Sequence, residues 1–196
     1  MNDMSKQRLV VGVTGSSAPH LAWATLMALR GHPDVETHLV LSKGAEKTIQ
    51  LEMDKTRGDF EGLADMVYDP DDLGAALSSG SYLTMGMVVV PCSMKTLAEI
   101  ATGTGANLLS RAADVCLKER RRLVLVPRET PLNLIHIRNM ETVTLAGATV
   151  LPPMPAFYHR PQTIDDLLAQ TVGKVLDQFG IEHDLFQRWK QPEGLA

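Results

Sequence analysis

The chain has 196 residues, enough for one good hydrophobic core and short for two, so a single domain over 1–196 is expected. Its 19 Lys and Arg against 23 Asp and Glu leave a formal charge of −4, which provides no global field for nucleic acid or an anionic membrane; any anion site must be local. No run approaches the roughly 18 apolar residues that span a bilayer. The N-terminal MNDMSKQR lacks an apolar signal region, and two cysteines without CxxC spacing fit reduced thiols in a cytoplasm. The six histidines form no HxxxH pair or Cys/His cluster, so no metal site is expected.

The first predicted strand, Leu9 to Val13, runs into Gly15-Ser16-Ser17-Ala18 with Pro19 behind it. Gly12 and Gly15 are not followed by a third glycine at GxGxxG spacing, so a dinucleotide fingerprint is absent and NAD is not supported. What remains is a strand, a glycine turn and a helix start. Its free N–H groups and the Ser16 and Ser17 hydroxyls suit one phosphate; an ordinary helix N-cap is the alternative. Leu21, Met27 and Leu29 follow at helical spacing.

The second strand, Val35 to Leu41, ends in LVLSKGAEK and places Ser42 at another strand-to-helix turn. Glu52, after the helix that follows, is either a pocket acid or an exposed carboxylate. The third strand, Met87 to Val90, leads into VVVPCSMKT with Ser93, Lys95 and Thr96, and with Cys92 as a small buried residue at the sheet edge. A helix through Ala112, Ala113, Cys116 and Leu117 puts Arg111 and Lys118 two turns apart on one face, as part of an anion pocket or of a solvated surface. The fourth strand, Leu123 to Val126, ends in VLVPRETPL. There Arg128 suits a phosphate or carbonyl clamp and Glu129 proton transfer, or the two form a surface ion pair.

Thr149 to Leu151 reads as a fifth strand. PPMPAFYHRP (152–161) is either an exposed polyproline-like connector or a loop buried over a ligand. A last long helix carries Leu167, Leu168, Val172, Val175 and Leu176, with Lys174 open to either role, and Trp189 is expected to pack a terminal helix. Strands that are apolar without a break, alternating with helices, predict a parallel, doubly wound α/β sheet of Rossmann-like (flavodoxin-like) type. Ligands of such sheets sit beyond the carboxyl ends of the strands, where the hydroxyl-bearing turns fall and where a phosphorylated molecule of mononucleotide size fits.

The strings ETHLVLSK, SSGS, PCSMKTLA, RAADVCLKERR, LVLVPRETPL, PPMPAFYHRPQT and VLDQFGI resemble the flavin prenyltransferases, including the B subunits encoded beside phenolic acid decarboxylases. The resemblance runs from about Leu9 to Trp189. It implies an FMN-binding enzyme that alkylates reduced FMN at N5 and C6 with dimethylallyl monophosphate. The product, prenylated FMN, passes to a separate decarboxylase.

For FMN binding the resemblance implies Gly15, Ser16 and Ser17, then Ser42, then Ser93-Met94-Lys95-Thr96, and Arg128. For the prenyl phosphate it implies Tyr158 and Lys174, joined by Arg111 and Lys118 of a neighbouring subunit in a homododecamer. Ser17, Glu52 and Glu129 correspond to the catalytic groups, and no metal is called for. Two positions depart from the family pattern. Ala18 stands where GASG or GATG has its final glycine, removing a permissive backbone, and Lys174 stands where many members have arginine, removing bidentate geometry. The alternatives to an enzyme of this kind are a non-catalytic FMN-binding accessory subunit of a hydroxyarylic acid decarboxylase, and a decarboxylase of cysteine-ended peptides.

Overall fold

The computed structural model describes residues 6–190. Six parallel strands, β1 (Gln7–Val13), β2 (Val35–Leu41), β3 (Met66–Tyr68), β4 (Gly86–Cys92), β5 (Arg122–Pro127) and β6 (Thr149–Val150), lie in the order β3-β2-β1-β4-β5-β6. The chain winds outwards from β1 to β3, then returns to β4 on the other side of β1 and winds outwards again. The order therefore reverses between β1 and β4, and a crevice opens there at the carboxyl ends.

Strand residues alternate between two cores, as the period of two requires. Leu9, Val11, Leu39, Val88 and Val124 meet α1 (His20–Leu29), α2 (Lys43–Glu52), α3 (Arg57–Glu61) and α7 (Ile164–Phe179). Val10, Val40, Met87, Val89 and Leu125 meet α4 (Met94–Thr102), α5 (Leu108–Lys118) and α6 (Leu134–Leu145). All seven residues of β4 are buried, which is why that strand is apolar without a polar alternate.

The four main strands lie where the apolar runs predict them. The edge strand β3 was not predicted: of its three residues Met66 and Val67 are exposed, so it carries no core pattern. Met27, expected on the apolar face of α1, is instead exposed, and α1 buries Leu21, Ala22, Thr25, Leu26 and Leu29. Trp189, expected to pack a terminal helix, is 67% exposed; the described residues after α7 form no helix, and its ring meets Tyr158. Among the described residues no helix is long and apolar enough to cross a membrane.

One buried polar group ties stability to pH. The His38 side chain, on β2, is fully buried between Glu36 Oε1 at 2.8 Å from Nε2 and the Tyr68 hydroxyl at 2.8 Å from Nδ1. Desolvation lowers its pKa below the ordinary 6.5, against the opposing pull of Glu36. The unfolded chain therefore takes up a proton at higher pH than the folded one. This stabilisation is complete above 6.5 and is lost as the pH falls from there through the lower folded value. Denaturation between about pH 7 and pH 5 is expected to show declining stability, with a flatter profile in His38→Gln. Parallel profiles would place the titration elsewhere.

Candidate active site

The rim at the switch point is assembled from the three predicted turns. After β1, buried Thr14 donates its hydroxyl to the Pro91 carbonyl at 2.8 Å and accepts the Ser93 N–H at 2.7 Å, joining the ends of β1 and β4. Ser42 caps α2 by accepting the Ala45 N–H at 3.1 Å, and its own N–H donates to Val13 O at 3.0 Å. Ser93 caps α4, accepting the Thr96 N–H at 3.3 Å with the Thr96 hydroxyl 3.2 Å away. Each cap fixes one helix start, and both helix N-termini open onto the same place.

Gly15 and Gly44 bring two turns into backbone contact. A Cβ on Gly15 would lie 2.8 Å from the Gly44 carbonyl carbon and 2.9 Å from its Cα, so only glycine fits without moving the backbone. The result is a cleft of about 410 Å³ that Gly15, Ser42, Gly44, Ser93, Lys95 and Thr96 help to line, with Lys43, Asp71, Glu99 and Asn107 around it. Lys95 stands 3.4 Å from Glu99, and Lys43 2.5 Å from Asp71, which raises the Lys43 pKa. Hydroxyls, helix N-termini and lysines in one cleft suit a phosphorylated ligand.

The remaining first-turn residues have different tasks. Ser16 is buried and donates to the Arg128 carbonyl at 2.8 Å, so it fastens the first turn to the end of β5 and does not face the cleft. Ser17 donates to Glu52 Oε2 at 3.1 Å, and the same oxygen accepts the Ala18 N–H at 2.9 Å. Ala18 has φ of 70°, the left-handed conformation that the family's glycine adopts freely. Ala18→Gly is therefore expected to raise stability by about 1 kcal/mol in chemical denaturation. No gain would mean that the turn relaxes around the Cβ.

Beyond the turns, the residues implied by resemblance do not line this cleft. Glu129 is exposed, its carboxylate accepting the Thr130 N–H at 2.9 Å, and the Arg128 N–H donates to Cys92 O at 3.2 Å. Met94 opens α4 next to its Ser93 cap. Arg111 and Lys118 do not line the cleft. Arg111 pairs with Asp114 at 2.5 Å and donates to Ser78 O at 3.2 Å, and Lys118 pairs with Glu119. Tyr158 and Lys174 do not line it either; Tyr158 is 40% exposed in an irregular segment, and Lys174 sits on α7, 3.5 Å from Asp177. Cys92 and Cys116 are buried with their thiols pushed up to about 12, which leaves neither as a nucleophile.

Thr14, Lys43, Asn107 and Glu99 were missed in the sequence. Thr14 alone had a signal there, a hydroxyl directly after an unbroken apolar strand.

A parallel sheet whose switch-point crevice carries two capped helix starts defines a nucleotide-cradling α/β protein. The family model described as Flavoprotein matches residues 1–176. "Flavin prenyltransferase UbiX" of Escherichia coli (strain K12) is 50% identical over 186 residues, covering 94% of this chain and 98% of that protein. The solved structure described as AnUbiX (PadA1) in complex with FMN and dimethylallyl pyrophosphate superposes with a TM-score of 0.92 at 52% identity, covering 96% of this chain and all of the other (100%). A dodecameric FMN-dependent Ubix-like decarboxylase from Escherichia coli O157:H7 has the same TM-score of 0.92 and identity of 52%, covering 94% and 100% of the two chains. The chain belongs to the Flavoprotein family and, within it, to the UbiX-like flavin prenyltransferases.

Proposed function

We propose that this protein joins a dimethylallyl group from dimethylallyl monophosphate to reduced FMN at N5 and C6. The prenylated FMN then serves a partner aromatic-acid decarboxylase. The observation that carries this reading is the convergence of Gly15, Ser42, Ser93, Lys95 and Thr96 on one cleft, with the Ser17–Glu52 pair two residues further along the first turn. A cleft of about 410 Å³ with glycine-lined walls and outward N–H groups fits a phosphorylated, ring-bearing molecule.

The reduced flavin, as co-substrate, supplies the nucleophile. The residues of this chain supply charge, position and proton transfer. Ser42, Ser93, Met94, Lys95 and Thr96 hold the flavin phosphate and ribityl chain, with Gly15, Ser17 and Arg128 forming the inner wall and Ser16 fastening that wall to the end of β5 through the Arg128 carbonyl. Tyr158 and Lys174, joined by Arg111 and Lys118 of a neighbouring subunit, hold the allyl phosphate. Monophosphate is a poor leaving group, so these cations offset its developing charge while Glu129 donates a proton to it. Ser17 and Glu52 take up a proton released as the new bonds form.

Assembly into a homododecamer brings Arg111 and Lys118 to the site. The outward apolar residues Leu134, Ile135 and Ile137 of α6, which are 60%, 67% and 50% exposed, support such self-association. The whole chain, 1–196, acts as one FMN-binding domain in the cytoplasm, where the free thiols of Cys92 and Cys116 persist.

Anaerobic mass spectrometry of protein, reduced FMN and dimethylallyl monophosphate tests the reading. A flavin heavier by one C5H8 unit is the expected product. Unmodified FMN alone, beside a working control enzyme, overturns the reading, and a Glu129→Gln variant that matches the parent removes Glu129 from it.

A further inference from the structure

We propose that Asp177 is a positioning residue of the allyl phosphate site, fastening residues 181–189 across α7 as a strap that sets Trp189 against Tyr158 and steadies Lys174. The inference rests on the functional reading above, which assigns Tyr158 and Lys174 to the phosphate.

One carboxylate joins every part of the arrangement. Asp177 accepts Arg188 Nη1 at 3.0 Å and Nη2 at 2.7 Å, a bidentate pair, and lies 3.2 Å from His183 Nε2 and 3.5 Å from Lys174 Nζ. It thus grips the strap near both ends and contacts the phosphate-binding lysine one turn back on its own helix. The Arg188 guanidinium holds the Asp177 carboxyl below the usual carboxylate range, so the clamp is ionised at neutral pH.

The helix has a notch for the strap. A Cβ at Gly173 would come within 2.4 Å of Phe186 and 2.6 Å of His183, so the missing side chain is what lets the strap lie down on α7. From there an aromatic chain leads to the site. Phe186 faces His159 at 6.5 Å, His159 faces Tyr158 at 5.4 Å, and Trp189 meets the Tyr158 ring edge-on at 5.6 Å. Tyr158 is therefore flanked by His159 and by Trp189, and Trp189 is tied down by the residue before it.

The strap suits the lysine at this position. An ammonium is a point charge on a flexible stem and lacks the pre-organisation of a guanidinium, so it needs an external partner to hold it in place. Asp177 is that partner, at a distance long enough to yield to a phosphate.

The FMN-loaded protein with dimethylallyl monophosphate as the varied substrate tests this. Asp177→Asn and Arg188→Leu are each expected to raise KM about tenfold, the scale of one charge-assisted hydrogen bond, with kcat close to the parent. The double variant is expected to be no worse than Asp177→Asn alone, because Arg188 acts on the site through that carboxylate. Asp177→Glu is expected to restore most of the affinity. Backbone amides of 183–189 should exchange hydrogen faster in Asp177→Asn while the sheet stays protected. An active parent with unchanged KM in both single variants, or unchanged exchange over 183–189, overturns the inference alone. A parent that turns over no allyl phosphate overturns the functional reading and this inference with it. Arg188→Leu keeps the question open to refutation if Asp177→Asn fails to fold.

Discussion

Glu52→Gln is expected to lower turnover by at least about 100-fold while leaving FMN affinity unchanged. The substitution separates two roles that one oxygen performs. Glu52 Oε2 accepts the Ala18 N–H at 2.9 Å and the Ser17 hydroxyl at 3.1 Å, and the amide oxygen of glutamine can accept both. The turn keeps its shape, and with it the flavin wall. A glutamine cannot take up a proton, so a loss confined to kcat assigns proton transfer to this carboxylate. Single-turnover formation of the prenylated flavin measures it directly, and Ser17→Ala should lose rate in the same way. A Glu52→Gln enzyme as fast as the parent would reduce Glu52 to an anchor for the strained Ala18 turn.

Gly15→Ala is expected to weaken FMN binding by at least about tenfold and to cost about 1–3 kcal/mol of stability. The new methyl would stand 2.8 Å from the Gly44 carbonyl carbon and 3.0 Å from its oxygen, and both neighbours are backbone. Nothing there can rotate away, so the first and second turns must separate, and the cleft they share opens with them. Gly44→Ala provides the graded comparison. Its methyl would meet Gly15 Cα at 3.3 Å, a contact that a few tenths of an ångström relieve. Flavin fluorescence titration should therefore rank parent, Gly44→Ala and Gly15→Ala in order of falling affinity. Equal affinities would mean that the flavin does not use this wall.

Much of the architecture was legible because burial on both faces leaves a strand no polar alternate. The clearest case is β4, whose seven residues are all buried. The elements that escaped prediction lack that imprint. β3 is a short edge strand with Met66 and Val67 exposed, and α6 turns Leu134, Ile135 and Ile137 outwards, so its apolar residues do not mark a core face. The rim was legible as an inventory of hydroxyls and cations but not as a set of directions. Ser16 and Ser17 are adjacent and chemically identical, yet one binds the Arg128 carbonyl and the other Glu52.

Which groups stand at the carboxyl ends of the strands is written in consecutive residues, because strand length and turn chemistry are local properties. Which groups meet is set by the packed fold: Gly15 against Gly44, Ser17 on Glu52, Arg188 on Asp177, and Arg111 beside Ser78. Those pairings follow from strand order and helix packing, which bring together residues that no local period relates. For that reason the chemistry of the rim could be read in advance, and its geometry could not.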